Sequence, residues 1–208
     1  MFERGSGPAP WDARAANSPP ALSDQLLRDL LQGTDAEVLQ RLYEGDPLGL
    51  RGAAMARLRE EGYLLNPDRV LARLTATLVH ESHKVVSTKK LRKWLFRATP
   101  RVLRDLVRED HESHRAGFAD DAKTRSDHGW LAELLQLEPE IARAASVAFN
   151  VLPRSTRTAF FDVVLLKRPL PHYAETAGLD VPQVEEHIQE ATLAISQATE
   201  PRGPEESA

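Results

Sequence analysis

From Leu22 onward, apolar residues recur every three or four positions, the spacing that places them on one side of an α-helix. "LSDQLLRDLLQG" predicts a short helix closed by Gly33, and "TDAE" predicts a capping box in which Thr34 and Glu37 satisfy each other's backbone N–H groups. The helix that follows carries Val38, Leu39 and Leu42 on one side. Asp46-Pro47 and Asn66-Pro67 each read as an N-cap followed by proline in the first turn, where its missing N–H is harmless. The second opens "PDRVLARLTATLV", with Val70, Leu71, Leu74 and Leu78 at helical spacing. Pro100 interrupts a helical pattern from Lys89 to Arg108 and predicts a kink or break there. Residues 109–127 are polar and read as a linker. Helical periodicity resumes at "WLAELLQL", starts again at Pro139, and runs through "PRSTRTAFFDVVLL" into "AETAGLDVPQVEEHI". Strand-like alternation is nearly absent. The expected fold class is all-α: helical domains at 22–115 and 128–199, an acidic linker at 116–127, a disordered tail at 1–21 and a polar tail at 200–208.

Composition narrows the class. The 208 residues contain no cysteine, which excludes disulfides and thiolate metal sites and suits a reducing cytoplasm. No apolar run approaches the ~18–20 residues of a membrane span, and the N-terminus lacks the apolar core of a signal peptide. The expectation is a cytoplasmic protein with no membrane partner. A net charge of −4 conceals an asymmetry. Lys84 to Arg108 holds nine Lys/Arg against Asp105 alone, whereas Glu109 to Glu140 holds nine acids against three bases. No Lys or Arg occurs between Arg168 and Arg202.

Two stretches invite a chemical reading. "HESH" occurs at His80–His83 and again at His111–His114. A zinc-hydrolase helix needs histidines four apart with a Glu between; here they are three apart, in polar segments, and no metal is expected. There is no phosphate-cradling Gly loop and no nucleophile elbow, so neither an enzyme nor a cofactor is expected. The basic stretch "STKKLRKWLFRATPRVLRDLVRED" is more informative. Leu91, Leu95, Val102, Leu103, Leu106 and Val107 can face a core. Lys84, Lys89, Lys90, Arg92, Lys93, Arg97, Arg101, Arg104 and Arg108 then form a cationic face around Trp94. Such a face suits phosphates through charge and unstacked bases through an aromatic ring.

At these residues the chain resembles a bacterial RNA polymerase sigma factor of the extracytoplasmic-function group, in divergent form. "LRKWLFRATPRVLRDLVRE", Leu91 to Glu109, is similar to the helix that ends the family's second conserved region, and "HKVVSTKK" occupies the place of its base-capturing loop. "DAEVLQRLYEGDPLGL" is similar to the family's opening. "PDRVLARLTATLV" stands where the family has an acidic helix that grips the polymerase clamp, which puts Asp68, Arg69, Leu71 and Ala72 at the core-polymerase contact. From Leu152 to Ile195 the chain follows the family's fourth region without a gap, a helix-turn-helix carrying Ala174, Gly178 and Val184. Where the family presents bases to upstream promoter DNA, this chain has Glu185, Glu186, His187 and Glu190. The resemblance implies a divergent sigma factor that binds core RNA polymerase and opens promoter DNA chiefly through residues 84–108, with an anti-sigma or other regulatory protein as a further partner. The alternative is a sigma-derived interaction protein whose helix-turn-helix no longer reads DNA.

Overall fold

The computed structural model describes residues 22–117, 127–133 and 136–200. Among them every regular element is helical, as the apolar spacing predicts, and there is no strand. The expected tail at 1–21, nearly all of that at 200–208 and residues 118–126 of the expected linker lie outside the described residues. The chain divides into two compact units, but not along the linear boundary expected. One joins the chain up to Arg57 with Val70–Val102; the other joins Leu58–Arg69 with the chain from Leu103 onward. A short segment inside the first expected domain therefore belongs with the C-terminal helices.

The first unit holds α1 (Asp24–Leu30), α2 (Asp35–Gly45), most of α3 (Leu50–Glu61) and of α4 (Pro67–His80), a 3-10 turn at Ser82–Lys84, and the first half of α5 (Thr88–Arg115). The capping box forms as read: Glu37 N donates to Thr34 Oγ1 at 3.4 Å and Thr34 N to Glu37 Oε2 at 2.9 Å. Asn66 also behaves as expected, accepting from Asp68 N at 2.9 Å ahead of Pro67 at the start of α4. Asp46 does not. It closes α2 in the left-handed region, and its carboxylate accepts from Leu50 N at 2.6 Å and Arg51 N at 3.0 Å. The carboxylate reaches over the Pro47–Gly49 turn, so proline lies before α3 and not in its first turn.

The expected break at Pro100 is absent: α5 is one helix of 28 residues. An interior proline costs about 3 kcal/mol by losing a donor and crowding the preceding turn. Burial on both sides of it offsets that cost, because Leu91, Trp94, Ala98, Val102, Leu103 and Leu106 are all buried. The same helix takes in residues 109–115, read from the sequence as linker. Asp110 is buried there, so its polarity marks an internal ion pair and not a solvated connection.

The second unit holds a helical stretch at 127–133, α6 (Pro139–Asn150), α7 (Arg154–Phe160) widening into a π-turn at Phe161–Leu165, α8 (Leu170–Ala177) and α9 (Val181–Thr199). Buried polar groups of α6 hold the segment before α4. Asn150 Oδ1 accepts from Leu64 N at 2.8 Å, while Asn150 Nδ2 and Ser146 Oγ donate to Leu64 O at 3.1 and 2.6 Å. Arg157 lies 4.1 Å over the Tyr63 ring, and its Nε donates to Glu61 O at 3.2 Å and its Nη1 to Leu152 O. Burial pulls its guanidinium below the ordinary value, opposed by Tyr63 and Glu61. Gly62 is indispensable at this contact. Its φ is +65°, and a Cβ there would sit 2.8 Å from the Arg157 carbonyl carbon and 2.9 Å from Thr158 N.

Candidate nucleic-acid interface

At 3.6 residues per turn, Lys89, Lys90, Lys93, Arg97, Arg101, Arg104 and Arg108 fall within about a third of the circumference of α5. All are exposed, and so are Arg92 on the flank and Lys84 in the preceding turn. The expected cationic face therefore forms. Within the first unit it surrounds a groove of about 360 Å³ lined by Lys84, Lys90, Lys93, Arg97 and Arg101, with Glu81, Trp94 and Ala98 completing the wall. Five cations thus line the groove beside one carboxylate.

Trp94 is more buried than its basic neighbours. It is 9% exposed, and its Nε1 donates to Glu81 Oε2 at 2.7 Å, so little of its ring is left at the groove for a base to stack on. Position 94 lies three residues from Leu91 and four from Ala98, on the side of α5 that the core takes. The aromatic that does stand in the basic surface is Phe96, 73% exposed, with the Arg57 guanidinium 5.6 Å from its ring centroid. Its signal was its helical position, in line with Arg92 and Lys89.

Glu81 is the second residue missed by sequence reading. Besides Trp94 it takes Arg101 at 3.1 Å and Lys84 at 3.5 Å. The Trp94 hydrogen bond first, then Arg101 and Lys84, hold its carboxyl below the usual carboxylate value, against partial desolvation. It thus stays ionised and orients two cations at the groove. Lys90, Lys93 and Arg97 have no acidic partner among the described residues and point their charge to solvent. Such an arrangement can bind phosphate oxygens through counterion release, with an exposed ring beside them for a base.

The expected polymerase contact on α4 is largely internal. Leu71 is fully buried. Arg69, 14% exposed, pairs with Asp110 at 2.6 Å, Asp127 at 3.5 Å and Glu109 at 3.7 Å. A buried guanidinium needs such partners, because an uncompensated one is far costlier than the pairs are favourable. Of the four expected contact residues only Asp68 and Ala72 are exposed.

The residues read as the helix-turn-helix lie on α8, α9 and the turn between them. Ala174 is buried in α8, Gly178 closes that helix at φ +68°, and Val184 is fully buried in α9. Ala174 and Val184 form one apolar cluster with Ala159 and Tyr173, against which Leu179 and Ile188 pack. Asp180 and Gln183 add a capping box at the start of α9. The four α9 residues expected on the reading face divide. Glu185, Glu186 and Glu190 are exposed and His187 half-buried, and the last two also meet α7: Thr156 Oγ1 donates to Glu190 Oε2 at 2.6 Å and lies 3.3 Å from His187 Nδ1.

His80 ends α4, His83 is in the 3-10 turn, and His111 and His114 ride on α5; among the described residues no group of three or more His, Asp or Glu is placed to hold a metal. Nor, among the described residues, is any helix long and apolar enough to cross a membrane. No family model, no curated protein and no solved structure matches this chain.

Proposed function

We propose that the chain is a divergent sigma factor, which engages core RNA polymerase and holds promoter DNA through the cationic face of α5. One observation carries this reading: Lys90, Lys93 and Arg97 stand exposed around a groove, with no acidic partner among the described residues, beside an exposed phenyl ring. A solvated amphipathic helix usually intersperses its cations with acids at three- and four-residue spacing; from Lys89 to Arg104 this helix has none. The catalysis would belong to the polymerase, and this chain would position the strand. Co-elution with core RNA polymerase on a sizing column at physiological salt tests it directly. A folded chain that stays apart from the polymerase sinks the sigma reading.

A second reading has its own support. Arg69 and Leu71 are committed to the interior, and α9 offers acids where a DNA reader needs bases. A sigma-derived protein that works through protein contacts would look the same. It would bind single-stranded DNA weakly and a protein partner through α9.

A further inference from the structure

A groove of about 540 Å³ runs along α9, from Glu185 past Ile188 and Leu193 to Ser196, with Leu170 of α8 at its side. The α9 residues that line it recur at three- and four-residue intervals, a stripe of about 16 Å along the helix. Leu193 is 57% exposed within it, and Ile188 half-buried. The chain carries six acids and no Lys or Arg from Leu170 to Glu200. The preceding Arg168 is paired with Asp162 at 3.2 Å, which leaves the exposed Lys167 as the nearest basic residue along the sequence without an acidic partner among the described residues.

We infer that this groove is a docking site for a basic amphipathic helix of another protein. A partner helix of three to four turns would lay Leu or Ile side chains between Ile188, Leu193 and Leu170, in the manner of helix-in-groove recognition. Its Lys or Arg residues would meet Glu185 and Glu186, both exposed and neither paired with a base among the described residues. Charge selects the occupant. An acidic helix, a second copy of this acidic segment or the DNA backbone would each bring negative charge onto negative charge, which costs affinity and slows encounter. This rests on reading α9 as a protein-facing helix and holds whether or not α5 binds DNA.

The test uses the full chain and a fluorescein-labelled Leu/Lys peptide of about four helical turns, followed by anisotropy at physiological salt. A Leu/Glu peptide of the same pattern serves as the control. The Leu/Lys peptide is expected to bind saturably, the Leu/Glu peptide not at all. Leu193→Glu and Glu185→Lys should each weaken binding about tenfold, with hydrogen-exchange protection on binding confined to 185–196. Because Leu193 is exposed, circular dichroism of the variant should be unchanged, and Leu193→Ala gives a milder second measure. The Lys90→Ala, Lys93→Ala, Arg97→Ala triple variant should bind the peptide as before, which separates this site from the α5 reading. Equal binding of both peptides, or indifference to Leu193→Glu, overturns the proposal. So does a dimer in sedimentation, or a duplex-DNA complex, that Leu193→Glu abolishes.

Discussion

Around the α5 groove, Lys90, Lys93 and Arg97 point to solvent while Arg101 and Lys84 pair with Glu81; around residues 58–69, arginines point inward onto carbonyls, a ring and carboxylates. The residue types overlap but the partners differ. Arg157 and Arg69 are each matched by several acceptors, so their charge is used within the fold. Arg97, Lys90 and Lys93 lack acidic partners among the described residues, so their charge remains available to a ligand. The lesson is that a basic residue's meaning lies in what it is left facing, and neither the residue nor its count reveals that.

The inward region should break most easily. Gly62→Ala forces a left-handed backbone on alanine and drives Cβ into the Arg157–Thr158 backbone. A loss of about 3 kcal/mol or more is expected, read as a lowered denaturant midpoint. Asn150→Leu leaves Leu64 N without its acceptor and should cost about 2–3 kcal/mol in the same assay; a near-neutral result would mean water replaces the amide. Both changes should leave the cations of the α5 groove chemically intact.

The outward region should respond in binding and not in stability. Replacing Lys90, Lys93 and Arg97 by Ala is expected to shrink the log–log salt slope for a single-stranded oligonucleotide by about 0.7 for each phosphate no longer neutralised, about 2 in all. The melting temperature should barely move. An unchanged slope would put the strand elsewhere. Trp94→Phe tests the border between the two behaviours. It removes a hydrogen bond to an ionised group, worth about 1.5–3 kcal/mol, and frees Glu81 to reorient, so both stability and oligonucleotide affinity should fall.

The smallest expected effect is acid sensitivity at Glu81. Its carboxyl is held below the usual value in the folded chain, so the stabilisation is complete above the ordinary carboxylate value of about 4.3 and is lost as pH falls through the depressed folded value. Acid unfolding of Glu81→Gln should lack that component; identical curves would show that Glu81 contributes nothing through ionisation.

Much of the fold was legible because its determinants are local. The Thr34–Glu37 box, the Asn66-Pro67 start and the Gly178 turn each lie within four residues of their partners. The face of α5 follows from helical spacing alone. What escaped was long-range. Arg69 and Asp110 are 41 residues apart, and Asn150 and Leu64 are 86 apart. No local pattern announces that such groups meet. Trp94 stands between these cases: its spacing from Leu91 and Ala98 already placed it with the core, but its basic neighbours suggested an open ring. At Pro100 the break did not form, because burial along the helix outweighs one lost donor.

On the proposed reading of α5 as a strand-binding face, Glu81 also bears on how long a strand would stay. A phosphate that approaches Arg101 or Lys84 must displace a carboxylate that cannot diffuse away. An acceptor tethered this closely competes at a high effective concentration, whatever the salt outside. It is always at hand to retake its cations when the strand loosens. We therefore expect Glu81 to shorten the dwell of a bound strand more than it slows arrival, so that Glu81→Gln, followed by stopped-flow fluorescence, should slow release. On the proposed reading, the acid that lines the groove would work as a release spring for a strand bound there.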